Sequence, residues 1–371
     1  MNWNRTEITG NNMGFLMSGP KSSREMVEFL KEGAMYRDFG SVLRSVFPFD
    51  DLNTRLAHGL SEINGEDYEK TIRKVRNWVN GKNLPQKREV LFQICFVLGL
   101  GEDASDKILA TASDTGIHYR NPEEICYAFA LRNGYSYEKA VLLKNEMMKR
   151  YETVSRNSPE NRVYTKQVRA SFDHVRTEED LLEFFDENGA YLGYLHETAY
   201  KKFMELLDAL QKPAERFGET ERKYTMEEVV NSYIRMNVPE TKATAGYTLL
   251  QRLVKKYWPG ETNLVNMRSR REDVSRKTII LLYLVTEAFD GLESDDLENY
   301  YLEDLEEEDD SDTLLEIRFE KMNLFLETYG MNRLDPGNPF DFLVLYAMKT
   351  EQEEFAGERM EQVLNELFQD E

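Results

Sequence analysis

Between Lys70 and Arg88 the chain carries seven cations and no acid: Lys70, Arg73, Lys74, Arg76, Lys82, Lys87 and Arg88. That is +7 in 19 residues of a chain whose net charge is −21, so the other 352 residues sum to −28. Such a cluster can hold a polyanion, because Lys and Arg replace the counterions condensed around phosphates. Within the segment Ile72, Val75 and Val79 recur at i, i+3 and i+7, which is one stripe of a helix. Thr71, Lys74 and Asn77 then project along another side, with Lys70 and Arg73 near the helix start. Asn80-Gly81 ends the helix, since that pair readily takes a left-handed conformation. Pro85 helps start a further helix whose first turn carries Lys87 and Arg88. The free N–H groups of a helix N-terminus favour anions, and two cations there strengthen the attraction.

The string Val75-Arg76-Asn77-Trp78-Val79-Asn80-Gly81-Lys82-Asn83-Leu84-Pro85 is followed by a helix ending Phe96-Val97-Leu98-Gly99-Leu100. Together they resemble the phage-repressor (lambda repressor-like, XRE) helix-turn-helix domain. In that family a recognition helix ends in W-x-x-G-K-x-x-P and the next helix ends in a leucine-glycine pair. The resemblance spans residues 50 to 112, with the fifth helix expected at Asp103 to Thr111. It implies that the helix around Lys70 to Asn77 enters the major groove of double-stranded DNA. It implies base-edge contacts from Thr71, Arg73, Lys74 and Asn77, and backbone phosphate contacts from Lys70, Lys82, Lys87 and Arg88. Ser61 to Asp67 reads as a turn, so the first helix of the pair is expected at Leu52–Leu60, with a long connection to the second. Glu62, Glu66, Asp67 and Glu69 add negative charge beside the groove helix.

The function this implies is a sequence-specific DNA-binding regulator, of transcription or of a mobile element, with the C-terminal region serving dimerisation or sensing. The alternative is a helical scaffold that keeps the shape for protein contacts. The chain as a whole also resembles long cytoplasmic proteins of Gram-positive bacteria with such a domain near the N-terminus. That likeness rests on Ile117 to Pro122, Asp273 to Lys277, Leu334 to Pro336 and Pro339 to Asp341, and brings no activity with it.

Other chemistry finds little footing. Gly14 to Ser22 nearly spells a phosphate-binding loop, but Pro20 breaks the spacing and lacks the N–H a phosphate would need. His58, His118, His174 and His196 are scattered, with none at metal-ligand spacing. No G-x-S-x-G, C-x-x-C or G-x-G-x-x-G occurs, so neither an enzyme nor a cofactor is expected. Arg268, Arg270, Arg271, Arg276 and Lys277 form a second basic cluster. Glu272 and Asp273 interrupt it, which favours local salt bridges. Cys95 and Cys126 sit in apolar surroundings and cannot build a disulfide framework.

The elements that must position these residues are helical. With 41% hydrophobic and 12% aromatic residues the chain has material for real cores. Helical stripes include Leu91, Ile94, Cys95 and Leu98; Tyr164, Val168, Phe172 and Val175; Tyr200, Phe203, Leu207 and Leu210; and Met226, Val229, Val230 and Tyr233. Ser22 to Glu25 and Thr225 to Glu228 fit capping boxes, and Asn121-Pro122 and Asn338-Pro339 fit helix starts. Gly189 and Gly330 suit left-handed helix ends. No alternating strand pattern occurs, so the fold class is all-α.

The expected domains are an N-terminal extension (1–49), the helix-turn-helix domain (50–115), a helical hairpin (116–155) and a C-terminal helical domain (160–371). Linkers are expected at Ser155 to Asn161 and Lys212 to Arg222. Glu293 to Asp312 holds 12 acidic and no basic residues and reads as a self-repelling loop. Met360, Val363, Leu364, Leu367 and Phe368 form a stripe that suits a partner helix. On this pattern the expected partners besides DNA are a second copy of the chain, as a homodimer, or another protein bound through the C-terminal region. The longest apolar run, Ile279 to Val285, is far short of the roughly 20 residues of a membrane span, and the polar N-terminus is unlike a signal peptide. A cytoplasmic protein is the expectation.

Overall fold

Capping and apolar spacing set the helices one by one. The computed structural model describes residues 6–85, 87–113, 115–154, 165–193, 196–212, 223–240, 246–288, 311–350 and 354–369. Every regular element among them is helical, as the stripes predict. The chain divides into two compact units, one of Arg37–His196 with Glu327–Asn332, the other of Met1–Tyr36, Glu197–Leu326 and Arg333–Glu371.

The first two helices, α1 (Glu7–Leu16) and α2 (Ser23–Glu32), are capped by Thr6 and Ser22, the latter in the expected capping box. They open the discontinuous unit. The other unit starts with α3 (Phe39–Val46), α4 (Leu52–Asn64), α5 (Tyr68–Val79), α6 (Arg88–Val97) and α7 (Glu102–Ser113). It continues through α8 (Pro122–Arg132), α9 (Tyr137–Val154), α10 (Thr165–Phe172) and α11 (Glu178–Asn188). Asn121 caps α8 by accepting from the Glu123 and Glu124 N–H groups, with Pro122 in the first turn. Here α4 packs on α5 and α6, α3 on α5 and α7, and α9 on α8 and α11. One apolar core runs from Phe39 to Leu192. The predicted stripe of Leu91, Ile94, Cys95 and Leu98 lies in it.

The discontinuous unit continues with α12 (Glu197–Gln211), the short α13 (Met226–Val229) leading into a π-helical turn, α14 (Leu249–Lys255) and α15 (Glu261–Arg268). It closes with α16 (Arg276–Thr286), α17 (Ser311–Thr328), α18 (Pro339–Met348) and α19 (Ala356–Phe368). Helix α16 is the apolar axis: Ile279 through Leu284 are fully buried, each such side chain contributing about 1.5–3 kcal/mol. It packs against α12, α18 and α19.

Several expectations need correction. The expected N-terminal helical extension (1–49) is divided: residues 1–36 belong with the C-terminal stretches and 37–49 with the unit of α3 to α11, and two polar groups of the first part are satisfied some 300 residues downstream. The fully buried Asn12 donates to the Pro336 carbonyl at 2.7 Å, and Tyr346 donates to the Lys21 carbonyl at 3.1 Å. Residues on either side of the expected linker at Ser155 to Asn161 share one core, which takes in Met147 before it and Val168 after it. The linker itself lies outside the described residues, as do Pro213 to Arg222, Tyr164 and all of the acidic run except Ser311 and Asp312. Gly330 is left-handed at φ 71°, but Gly189 is right-handed and continues into a 3-10 turn. The stripe on α19 is no docking surface: Met360, Val363, Leu364, Leu367 and Phe368 are all buried in their own unit. Within the second basic cluster, Arg276 is buried against Asp341 at 2.8 Å and Arg270 pairs with Glu197, as local salt bridging predicts. Among the described residues no helix is long and apolar enough to cross a membrane.

Candidate nucleic-acid interface

Helix α4 runs four residues beyond its expected end, to Asn64, and stops at Gly65, which takes φ 61°. Only Gly65, Glu66 and Asp67 separate it from α5, so the long connection expected at Ser61 to Asp67 is a three-residue turn. Two local signals compress it. Gly65 supplies the left-handed residue at no steric cost, and Asp67 caps α5 by accepting the Lys70 N–H at 2.9 Å.

At its other end α5 closes in a Schellman motif. The Lys82 N–H reaches the Asn77 carbonyl at 2.9 Å and the Gly81 N–H reaches that of Trp78 at 3.1 Å, with Gly81 at φ 68°. Helix α3 holds this end in place: Arg44 donates to the Val79 carbonyl at 3.1 Å. Trp78 is half-buried against the core, in keeping with a sealing role.

Thr71, Ile72, Val75 and Val79 form the buried face of α5. Lys70, Arg73 and Arg76 are exposed, as are Lys82 and Lys87 beyond the helix. None of these five makes an ion pair among the described residues. Asn77 is half-buried, one turn beyond Arg73.

Three assigned contacts fall elsewhere. Thr71 is only 2% exposed and donates to the Asp67 carbonyl at 3.0 Å, so it cannot meet a base edge. Its place beside Ile72 puts it on the core-facing arc. Lys74 is held by Glu66 at 2.5 Å. The hydrogen bond from Lys74 pulls the Glu66 carboxyl below its ordinary value.

Arg88 is bound internally by every arm. It grips Glu124 through Nε at 2.7 Å and Nη2 at 2.6 Å, and donates to the Ser113 hydroxyl and the Thr115 and Gly116 carbonyls. It stitches α6 to the start of α8 and has no donor left for phosphate. The helix expected from Pro85 starts at Arg88, so Lys87 is its cap residue rather than part of its first turn.

Arg76 was the residue without a role in the sequence pattern, although its i+3 spacing from Arg73, opposite Val75 and Val79, could have placed it. Exposed carboxylates border the stripe at Glu62, Glu66, Asp67 and Glu69. Charge is divided unevenly along the chain. The unit holding α5 carries 26 acidic and 22 basic residues, a net −4, whereas the rest of the chain carries 42 and 25, a net −17.

The histidines are less scattered than their spacing suggests: the rings of His118 and His196 lie 4.3 Å apart. Burial pushes the Cys95 thiol up to about 12, and Cys126 rises for the same reason, so neither is a ready nucleophile. A search against protein families, curated proteins and solved structures finds no match to this chain.

Proposed function

We propose that the unit built around α5 binds double-stranded DNA and that the protein is a DNA-binding regulator. One observation carries the reading. The outward stripe of α5 presents Lys70, Arg73 and Arg76 to solvent with no ion pair among the described residues, one three-residue turn after α4, although Lys70 lies near enough to Glu66 to help lower its carboxyl. Two helices joined by a short glycine-containing turn are the frame on which a second helix enters the major groove.

The contact set differs from that implied by the family resemblance. Arg73, Arg76 and Asn77 are the base-reading candidates, since Arg pairs with guanine and Asn with adenine. Lys70, Lys82 and Lys87 are the phosphate contacts. Thr71 and Arg88 maintain the frame, and Lys74 neutralises Glu66. The milder net charge of this unit also lowers the repulsion that so acidic a chain would oppose to DNA.

Fluorescence anisotropy with a labelled duplex pool tests the proposal. Binding is expected at about 50 mM salt, and if four phosphates are engaged log K falls against log salt with a slope of about −3.6. Absence of duplex binding at that salt, with the protein folded, rejects it.

A further inference from the structure

Two of the four histidines, set on opposite sides of α8 to α11 in the sequence, meet within the unit of α3 to α11. His118 lies just before α8 and His196 follows α11. Their ring centroids are 4.3 Å apart with the planes inclined at 47°, and a ring nitrogen of each lies within 4.8 Å of the other. His196 is 6% exposed and His118 is half-buried.

The backbone fixes both stretches where they meet. The Gly193 N–H donates to the Arg120 carbonyl at 2.7 Å, so the chain just after one histidine is bonded to the chain just before the other. The His118 N–H donates to Glu124 at 2.8 Å, and the His118 carbonyl accepts from the Asn121 N–H at 2.8 Å. Glu124 is itself gripped by Arg88. On the other side Tyr151 donates to the Leu192 carbonyl at 3.0 Å. The two rings are therefore carried on pinned stretches, as a preorganised ligand pair requires.

Imidazole is the commonest side-chain metal ligand, and it suits zinc, copper and nickel. With bonds of about 2.0–2.1 Å, one tetrahedral ion spans two nitrogens about 3.4 Å apart. Small rotations of the rings about their side-chain bonds reach that separation. The exposed part of His118 gives an entering ion a route and leaves room for water on it. Neither cysteine offers a rival site, since both thiols are buried.

We propose that His118 and His196 together hold one divalent transition-metal ion of the zinc class, with water at its remaining positions. The ion clasps the stretch before α8 to the stretch after α11 and so closes the span of chain between them.

The test is calorimetric titration of the metal-free full chain with Zn²⁺ in about 5 mM Mg²⁺, a hard ion that occupies surface carboxylates and does not compete for imidazole. One Zn²⁺ per chain is expected, with Kd of about 10 μM or tighter. His118→Gln and His196→Gln should each weaken it at least about ten-fold, because losing even a partner of a ligand costs about 10–100-fold. His174→Gln, at an exposed position, should bind as wild type. Zn²⁺ at about 100 times Kd should raise the melting temperature of the wild type and of His174→Gln by mass action. It should leave His196→Gln where it was, which reads the site even if that variant starts from lower stability. With Cu²⁺ in place of Zn²⁺, the electron paramagnetic resonance spectrum should carry coupling from two imidazole nitrogens, reduced to one in either variant. Wild-type affinity in both glutamine variants, no saturable heat up to about 1 mM Zn²⁺, or a copper spectrum without nitrogen coupling would each overturn the proposal and leave the rings as a packed pair.

Discussion

Gly40 in α3 sits so close to the Val79 carbonyl at the end of α5 that a Cβ there would overlap the oxygen. The same carbonyl accepts from Arg44. The end of the basic helix is thus seated on a glycine and anchored by an arginine one turn later. Gly40→Ala should cost about 1–3 kcal/mol by forcing α3 away from α5. Urea denaturation checks it, with Gly10→Ala as control, because nothing surrounds a Cβ at Gly10. Equal midpoints for the two variants would contradict the close packing.

The cations of the basic segment should separate into two groups. Arg73→Ala should relax base preference, whereas Lys87→Ala should weaken all duplexes alike and reduce the salt slope by about 1. Arg88→Ala should act through the fold, leaving Glu124 buried without its partner at a cost of about 3 kcal/mol. Competition binding and thermal melts on the same three proteins distinguish these outcomes. If Arg88→Ala melts like wild type while losing DNA, the internal role assigned to it is wrong.

The pair of Arg276 and Asp341 offers a test in the other unit. Both side chains are 2% exposed and doubly bonded at 2.8 Å. Arg276→Leu leaves a buried carboxylate, and a loss of about 3–5 kcal/mol is expected. The double variant Arg276→Leu with Asp341→Leu should recover much of that, because the desolvation cost goes with the charges. A double variant no more stable than the single one would show that the bonds these side chains make to backbone, from the Asp335 N–H to Asp341 at 2.8 Å and from Arg276 to the Arg333 carbonyl at 3.0 Å, dominate over the charges.

Asp106 should make stability fall as pH rises. Burial raises its carboxyl above the ordinary value, although the Ile117 N–H and Arg169 pull the other way. Below the unfolded value of 3.8 the group is protonated in both states. Between 3.8 and its raised folded value only the unfolded chain ionises, so stability drops across that window and stays lower above it. Asp106→Asn keeps an oxygen for the Ile117 N–H, bonded at 2.7 Å, and should flatten the dependence. Melting temperatures from pH 3.5 to 7 decide it, and a variant with the wild-type slope would exclude Asp106 as the source.

Local chemistry was legible in the sequence wherever donor and acceptor lie a few residues apart. Ser22, Thr225 and Asn121 announce their helices because a cap is satisfied within three residues. The apolar arc of α5 was legible for the same reason, since its period is intrinsic to the helix. The burial of Thr71 needed the neighbouring α4, and a small polar residue beside an apolar stripe can face either way. Arg88 could not be read at all, because its carboxylate lies 36 residues away across α7. The turn at Gly65 was misjudged for a different reason. Ser61, Glu62 and Asn64 are polar and, with Gly65, resemble a loop, yet with the half-buried Ile63 they continue the helix until the glycine ends it.

The discontinuous unit also dictates an order of events during synthesis. Its opening helices leave the ribosome long before Pro336, Tyr346 and Lys349 exist, so Asn12 and the Leu16 and Lys21 carbonyls must wait, wetted by solvent, while most of the polypeptide is made. Helices α3 to α11 are complete well before that moment. The nascent chain therefore carries a finished basic helix while α1 and α2 still lack the partners they later clasp.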